Sequence, residues 1–377
     1  MKTEKTTDFD LLQRLDAAQT SAYFASPDGA TRLFAFGERA HWQSGDGDLM
    51  AWVARQQARF GADVFIFGAP GFEAHSEAGF WFVPETVIDA HDIMLATSAV
   101  PTSQILTQQD EEDWPTRVAE VIDKELLPGH LQKVVLGRQR ELTVSAPLLI
   151  ADALQQLRQQ QPLSYHVALK HDGQVFISAT PERLVKVQQG EVATAGVAGT
   201  TKRASDPIAD ALLGEQLLAD AKNQHEHAVV VQTIVAQLQD LTQQLQVPAA
   251  PILLKNAQMQ HLYTPITAKL ADDVTLLDVM QRLHPTPALG GQPRQLALAV
   301  IQRVERDARG LFASPIGFFN GLNDGEFVVG IRALWARDTT VRLFAGAGIL
   351  SDSQPASEYQ ETDLKMRPMM TLFENEV

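Results

Sequence analysis

Short apolar runs separated by turn-forming residues fill the first hundred positions and restrict the fold more than any other feature. The runs TRLFAFGERAHW, DVFIFGAPGF and GFWFVPETVI combine aromatic and β-branched residues with glycine or proline. Runs of this kind are typical of strands in an antiparallel sheet. Farther along, strands and helices mix without the regular strand–helix–strand repeat of a doubly wound fold. The sequence therefore predicts an α+β protein.

The composition limits the classes of ligand that this chain can attract. It has 377 residues, of which 45% are apolar, enough to bury a substantial core. Acidic residues outnumber basic ones by 46 to 31, and the net charge is −15. This balance argues against general binding to nucleic acid or to an anionic membrane. An anionic ligand would need a local cationic pocket.

The residue usage also bears on location. The chain has no cysteine, which excludes disulfides, thiolate catalysis and thiolate metal sites. No apolar run approaches the roughly 20 residues that span a bilayer. The N-terminus MKTEKTTDFDLLQRL is too acidic for a signal peptide. We therefore expect a cytoplasmic protein.

Two polar stretches carry predictions about local structure. The stretch TQQDEEDWPTRVAEVIDKELL is predicted to be a linker that enters a helix near Trp114. The stretch QLQDLTQQLQ is predicted to be the solvated end of a long helix, because its leucines recur at helical spacing.

Two charged residues stand at the ends of predicted strands. In QKVVLGRQREL, residues 132–142, strand alternation places Lys133 on the same face as a valine. The run QVFISATPERL is predicted to end as a strand at its Thr-Pro pair and to present Glu182 on a turn. Viewed alone, each residue has an ordinary explanation, a lysine that reaches water and a solvated carboxylate.

A third carboxylate lies within the segment GEQLLADAKNQHEHAVVVQTIVAQL, which is predicted to be one helix. Glu226 shares a face with two valines, so its carboxylate needs a cation or a proton. Lys222, one turn earlier, is a candidate for that cation and would make the pair structural. We interpret His225 and His227 as structural residues.

The C-terminal stretch AGAGILSDSQPASEYQETDLKMRP is predicted to join a glycine-rich turn to a helix that begins near Pro355. Glu358, Glu361 and Lys365 then share one helix face, which is a common surface pattern. The pattern gains significance if Glu361 faces Glu226 across a cavity. Carboxylates from different elements are oxygen ligands that suit magnesium.

One arginine and two glycines complete the set of candidates. The run GEFVVGIRALW is predicted to be a single strand that places Arg332 on an apolar face, a setting in which arginine usually holds a carboxylate or phosphate. Gly346 and Gly348 would let backbone amides approach an anion. A structural turn explains these glycines almost as well.

In order along the chain, these stretches resemble the chorismate-utilising enzymes in sequence and spacing. The matching motifs are QKVVLGR, SATPERL, GVAGTTKR, AKNQHEH, MQHLYTPI, LHPTPALGGQP, FASPIGF, GEFVVGIRALW and AGAGILSDSQPASEYQET. The resemblance implies one large α+β domain, in which two antiparallel-rich sheets flanked by helices enclose magnesium and chorismate. We divide it into a more divergent N-terminal part, residues 1–110, and a chorismate-binding catalytic core, residues 111–377.

The resemblance also implies roles by position. Glu226 and Glu361 match the magnesium-binding glutamates, with Glu358 beside them. The positions that match contacts to substrate carboxylates or hydroxyls are Gly199, Thr200, Arg332, Lys365 and the amides around Gly346 and Gly348.

Three further positions either match the site of the family or depart from its sequence pattern. His261 matches a histidine that lines the site, without an assigned chemical role. Asn223 stands where some relatives carry an acid, which leaves that interaction open. Ser314 stands where glycine is common, so the local turn is expected to differ slightly.

Two positions distinguish among the reactions of the family. Ala198 lies where aminodeoxychorismate synthases have a lysine nucleophile, so the covalent route is absent. Lys133 lies where ammonia-using relatives, such as the large subunit of anthranilate synthase, typically have glutamine. The combination resembles an isochorismate synthase, an isomerase. The resemblance implies that Lys133 is the base for water attack at C2 of chorismate and Glu182 the acid for hydroxide departure from C4.

Two alternatives stay open. Salicylate synthases carry the same lysine and glutamate and then eliminate pyruvate; the relatively short chain favours the simple isomerase. A non-catalytic chorismate-binding protein or metal-stabilised scaffold is disfavoured, because both proton-transfer residues are present. The resemblance favours a monomer, and we expect a menaquinone-type pathway on general grounds.

Overall fold

The computed structural model describes residues 7–73, 78–91, 93, 103–255 and 259–373. The first six residues of the N-terminal segment discussed above lie outside these ranges. The α-helices in these ranges are α1 (Asp8–Ala17), α2 (Leu49–Phe60), α3 (Trp114–Val121), α4 (Ile150–Gln160), α5 (Pro207–Ala219), α6 (Ala221–Leu238), α7 (Leu276–Leu283), α8 (Arg294–Val304) and α9 (Pro355–Met370). A π-helical segment (Ile122–Leu126) follows α3. In these ranges, no helix combines the length and apolar character needed to cross a membrane.

The strands form two sheets in which every pairing is antiparallel. Sheet A has the order β16 (Gly291–Gln292), β8 (Lys133–Val144), β20 (Thr340–Ile349), β19 (Ala333–Arg337), β10 (Gln174–Thr180), β9 (Tyr165–His171), β1 (Ser21–Ala25), β2 (Arg32–Phe36) and β6 (Thr86–Asp89), and β7 (Ile105–Asp110) also pairs with β8. Sheet B has the order β13 (Thr242–Gln246), β15 (Met259–Leu270), β12 (Glu191–Lys202), β11 (Arg183–Gln188), β18 (Gly325–Val329), β17 (Pro315–Asn320), β4 (Phe65–Ala69), β5 (Phe80–Val83) and β3 (Ala40–Gln43), and β14 (Ile252–Lys255) also pairs with β15. The predicted α+β class with two antiparallel sheets is confirmed.

The two sheets pack face to face, and helices cover their outer sides. Phe24 of sheet A meets Phe318 of sheet B edge-on, with ring centroids 5.0 Å apart. The other face of sheet A packs against α1, α4 and α9 through fully buried side chains such as Leu11, Leu154 and Met366. Burial of this apolar area stabilises the fold at about 25 cal/mol per Å².

Two of the points at which the chain passes from one sheet to the other are neighbours in space. After β10 in sheet A, residues 181–182 lead into β11 of sheet B. After β18 in sheet B, residues 330–332 lead into β19 of sheet A. We call these segments the first and second crossover. Glu182 and Arg332, both predicted site residues, therefore lie in crossovers rather than in strands.

Hydrogen bonds tie each crossover to the strand that leads into the other. The amide of Val329 donates to the carbonyl oxygen of Glu182 at 3.0 Å, and the amide of Ala179 donates to that of Arg332 at 3.1 Å. The hydroxyl of the buried Ser178 donates to the carbonyl oxygen of Ile331 at 2.5 Å. The backbone positions of the two crossovers are thus fixed relative to each other.

Two predictions about strands are wrong. The run GEFVVGIRALW is not one strand, because Arg332 has φ of 49°, a left-handed conformation that interrupts strand geometry. The residues on either side belong to different sheets, so the single apolar strand face predicted to carry Arg332 does not exist. The AGAG motif lies inside β20 and not in a turn.

Three other stretches also differ from prediction. The segment GEQLLADAKNQHEHAVVVQTIVAQL, predicted to be one helix, is interrupted at Asp220 between α5 and α6. The side chain of Asp220 caps α6 by accepting a hydrogen bond from the amide of Asn223. In QLQDLTQQLQ only the start is helical, and the end forms the edge strand β13. The supposed linker begins as the end of β7 before it enters α3 at Trp114, as predicted.

Arg138 of β8 anchors α9 to sheet A. Its side chain is fully buried, and its guanidinium donates to Asp110 Oδ1 at 2.9 Å and to Thr362 Oγ1 at 2.7 Å. Burial alone would raise the pKa of Asp110, but hydrogen bonds from Arg138 and Arg140 outweigh this effect and lower it. These contacts fix the helix that carries Glu358, Glu361 and Lys365.

We expect Arg138→Met to lower the free energy of unfolding by about 3 kcal/mol, because it breaks a buried ion pair and leaves Asp110 with fewer donors. Arg337→Met, which changes an exposed arginine of β19, is the control and should stay within about 0.5 kcal/mol of the parent. Urea denaturation followed by circular dichroism measures both. Equal stability of the two variants would contradict the anchoring role of Arg138.

Candidate active site

Lys133 begins β8 and contacts helix α6 across the space between the sheets. Its Nζ donates to Glu226 Oε1 at 3.2 Å. A Cβ atom on Gly348 of the neighbouring β20 would lie 2.8 Å from Lys133 Cε. Glycine at that position therefore makes room for the lysine side chain. Lys222, the partner predicted for Glu226, instead lies 3.2 Å from Asp352.

Glu182, in the first crossover, has an unusual protonation equilibrium. Burial raises the pKa of its carboxyl to about 7, while the positive charge of Lys133 acts in the opposite direction. The carboxyl is thus within electrostatic range of Lys133. Near neutral pH it is present in both protonated and ionised forms, which is the condition for a general acid.

Arg332, in the second crossover, lies in a largely desolvated position. Burial lowers the pKa of its guanidinium, and the negative charge of Glu361 opposes this shift. His261 of β15 is close to the same group: burial, followed by the charges of Arg332 and Lys365, lowers the pKa of His261 to about 4. The imidazole is therefore neutral at pH 7. Its Nδ1 lies 2.8 Å from Thr200 Oγ1 of β12.

Helix α9 contributes a lysine and two glutamates. Lys365 Nζ donates to the carbonyl oxygen of Gly346 at 2.8 Å and contacts Glu361 Oε1 at 2.6 Å. Burial lowers the pKa of Lys365, and Glu361 opposes the shift. Burial raises the pKa of Glu358, and the nearby Glu361 adds to the effect. Two carboxylates and a lysine thus lie close together on one helix, as the spacing predicted, and the lysine contacts β20.

The turn around Ala198 and Gly199 is a β-bulge in β12. The register with β15 shifts between Ala198 and Thr200, and Gly199 has φ of 75°, which favours glycine. The Nδ1 of His227 lies 3.3 Å from the carbonyl oxygen of Ala198 and its Nε2 lies 2.7 Å from Thr264 Oγ1. Because burial lowers the pKa of His227, a neutral ring donates from Nδ1 to the carbonyl and accepts from the threonine. His227 thereby holds the bulge that presents Thr200.

The predicted site residues form two sets, which both include a glycine of β20. Contacts or charge effects link Lys133 with Glu182, Glu226 and Gly348, and link Lys365 with Gly346, Glu361, Arg332 and His261. In the described ranges, no three His, Asp or Glu side chains are already grouped as a complete metal site. The two predicted magnesium ligands, Glu226 and Glu361, each contact a lysine.

His227, interpreted as structural, holds the backbone of the bulge next to Thr200. Sequence reasoning missed one positioning residue, Ser178, whose hydroxyl donates to the carbonyl oxygen of Ile331 in the second crossover. A polar residue in the middle of the apolar run VFISAT was the available indication, because a buried hydroxyl needs a hydrogen-bond partner. Asn223, the departure from the family pattern, packs beneath Gly199, where a Cβ would lie 3.1 Å from Asn223 Oδ1.

Comparisons with known proteins agree with the fold. The model of the family described as "Chorismate binding enzyme" matches residues 94–374. The isochorismate synthase DhbC of Bacillus subtilis is 35% identical over 277 residues, which cover 71% of this chain and 69% of the relative. The chain therefore belongs to the family of chorismate-binding enzymes.

Two further relatives are similar over different shares of their length. The isochorismate synthase MenF of Bacillus subtilis is 39% identical over 267 residues, 71% of this chain but only 56% of that protein. The matched region thus spans little more than half of this relative. The solved structure of the menaquinone-specific isochorismate synthase MenF of Escherichia coli superposes with a TM-score of 0.84 at 28% identity, covering 98% of this chain and 92% of that one.

The raised pKa of Glu182 predicts a pH-dependent stability. Since the folded-state value of about 7 exceeds the ordinary value of 4.5, Glu182 stabilises the fold fully below about pH 4.5, and this contribution is lost as pH rises through about 7. Glu182→Gln should therefore gain stability relative to the parent between about pH 5 and pH 8, by at most about 3 kcal/mol. Thermal unfolding at both pH values measures the difference.

Glu215→Gln, which removes an exposed carboxylate of α5, controls for the change in net charge. The assignment would be wrong if the stability difference between Glu182→Gln and the parent did not change with pH.

Proposed function

We propose that this chain is an isochorismate synthase that converts chorismate to isochorismate. The observation that carries the proposal is the desolvated Glu182, whose pKa is about 7 and which senses the charge of Lys133; the bulge in β12 has Ala198 and not a lysine. A lysine and a carboxyl can remove one proton and deliver another. The two Bacillus subtilis relatives named above support the same reaction, because both carry the name isochorismate synthase.

Two largely buried cations, Arg332 and Lys365, account for binding of a dicarboxylate by a chain with a net charge of −15. Arginine can hold a carboxylate through two parallel hydrogen bonds. The neutral His261 and Thr200 offer hydrogen bonds to a hydroxyl or carboxylate, and the bulge at Gly199 lets the backbone approach the ligand.

The carboxylates present are a suitable donor set for magnesium. Glu226 on α6 and Glu361 on α9 supply oxygen ligands. Glu358 lies beside Glu361, and burial, together with the negative charge of Glu361, raises the pKa of Glu358. Magnesium commonly binds through one or two carboxylates together with water and substrate oxygens. When bound, it would act as a Lewis acid that stabilises charge on the substrate carboxylate.

The reaction exchanges one hydroxyl position for another. A water oxygen forms a bond to C2 while its proton passes to Lys133. The ring double bonds shift, the C4–oxygen bond breaks, and the proton of Glu182 passes to the leaving hydroxide to give water. Atoms and charge balance, and no nucleophile from the protein is required. In the reverse direction Glu182 is the base and Lys133 the acid.

The product test is direct. We expect the protein, incubated with chorismate and magnesium, to form isochorismate, resolved by chromatography, with little pyruvate. Excess chelator should abolish turnover. Without the metal ion, Glu226 and Glu361 supply only negative charge and cannot neutralise the substrate carboxylate. Abundant pyruvate would indicate salicylate synthase, binding without turnover would indicate a non-catalytic protein, and full activity in chelator would contradict the magnesium assignment.

Substitutions separate proton transfer from binding. Lys133→Gln and Glu182→Gln should each lower kcat by about 10²–10⁴-fold with a small change in KM, the usual effect of one general acid or base. Steady-state kinetics in both directions measures this, since microscopic reversibility requires both groups in each direction. Lys222→Gln changes a nearby exposed lysine of α6 and should leave kcat within about twofold.

Arg332→Lys should mainly raise KM, because lysine lacks the planar fork of arginine. If Lys133→Gln retained the kcat of Lys222→Gln in either direction, Lys133 would not be the base.

Other expectations remain predictions from the sequence. They are the monomeric state, the cytoplasmic location, the menaquinone-type pathway, and the division into residues 1–110 and 111–377. The strand β7 ends at Asp110 and pairs with β8, which supports treating the two parts as one domain.

A further inference from the structure

A cavity lies between the sheets where β9 ends and β10 begins. This part of the two strands is remote from Glu182. The cavity has a volume of about 360 Å³. Its floor is the inner face of sheet A, including Phe176, Trp335 and Phe344, and its opposite wall includes Phe80 of β5 and the segment 308–311. Small-molecule sites usually have volumes of about 300–1,000 Å³, so the cavity can accept a ligand of about two fused rings.

A pair of aromatic rings separates this cavity from the candidate active site. Phe344 lines the cavity and stacks on Phe312, with ring centroids 5.4 Å apart and planes 11° apart. On its other side, the Phe312 ring lies 3.6 Å from the position that a Cβ on Gly346 would take. Gly346 in turn accepts the hydrogen bond from Lys365. The cavity is therefore distinct from the group of Lys133, Glu182 and Arg332.

Its lining combines aromatic faces with neutral hydrogen-bonding groups. Phe176, Trp335 and Phe344 supply ring surface, and three glutamines, Gln43, Gln139 and Gln174, supply amides. Burial lowers the pKa of His171, which stacks on Phe80 with centroids 3.8 Å apart, so its ring is neutral at pH 7. Such a surface matches a planar ring with donors or acceptors on its edge.

The charges of the lining do not favour an anion. Arg342 donates to Glu141 at 2.8 Å, and Arg309 is paired with Glu305. Asp172 adds a carboxylate to the lining. Among the described lining residues, each cation thus has an acidic partner and one further acid is present. An anionic ligand would have to displace an existing ion pair.

We propose that this cavity is a second small-molecule site, specific for an uncharged planar aromatic ligand with hydrogen-bonding groups on its edge. The aromatic floor binds the faces of the rings, and the glutamine amides bind the edge. This proposal does not depend on the reaction catalysed at the candidate active site.

Isothermal titration calorimetry of the full chain tests the proposal with two probes of matched shape, 2-naphthamide and 2-naphthoate. We expect the amide to bind with a Kd of about 1 mM or tighter, and the carboxylate at least about tenfold more weakly. No measurable binding of the amide, or equal or tighter binding of the carboxylate, would overturn the proposal.

Two variants locate the binding. Ala308→Phe places a ring into the cavity from an exposed lining position and should weaken binding of the amide by at least about tenfold. Asp307→Phe adds the same ring at the preceding exposed position, which does not line this cavity, and should change the Kd by less than about twofold. Equal effects of both variants would place the probe elsewhere.

Gln174→Leu provides a second variant if Ala308→Phe fails to fold. It removes the amide that accepts a hydrogen bond from Trp335 Nε1 at 3.0 Å and should also weaken binding of the amide. Unchanged affinity in a folded Gln174→Leu protein would contradict the role of the amide edge.

Discussion

Hydrogen bonds that tie each of two neighbouring crossovers to a strand flanking the other determine where the chemistry of this protein can take place. The bonds from Val329 to Glu182 and from Ala179 to Arg332 fix these two direct strand-to-strand passages between the sheets. They place a carboxyl and a guanidinium at the boundary of the sheets, where strand pairing ends and side chains can reach the space between. The positive φ of Arg332 is a consequence of this passage. Strain of this kind persists where the surrounding structure determines the backbone.

The electrostatics follow from this placement. Lys133, Arg332 and Lys365 lie in poorly solvated positions, and burial of a charge is unfavourable unless a partner compensates it. In this structure glutamates supply the compensation: Glu226 contacts Lys133, and Glu361 contacts Lys365. A bound dicarboxylate would add negative charge to this group. A divalent cation at the glutamates would balance it, so the substrate and magnesium sites are expected to depend on each other.

Much of this arrangement could be predicted from sequence, and the failures have a common physical origin. Period-two runs identified the strands, and helical spacing correctly placed Glu358, Glu361 and Lys365 on one face of α9. Local spacing made Lys222 a candidate partner of Glu226, whereas Glu226 contacts Lys133, which is 93 positions away in sequence. The apolar alternation of GEFVVGIRALW continues through Arg332, although its two halves belong to different sheets. Contacts between distant segments decide these features, and local patterns do not contain them.

The origin of the oxygen at C2 tests the central claim most directly, because the claim is that Lys133 activates water while Glu182 releases the C4 hydroxyl. The protein should be given chorismate and magnesium in water labelled with heavy oxygen, and the isochorismate formed in the initial phase analysed by mass spectrometry. If Lys133 and Glu182 act as described, the new C2 hydroxyl carries the label. Unlabelled isochorismate would show that the hydroxyl moves within the substrate, and would contradict water activation by Lys133.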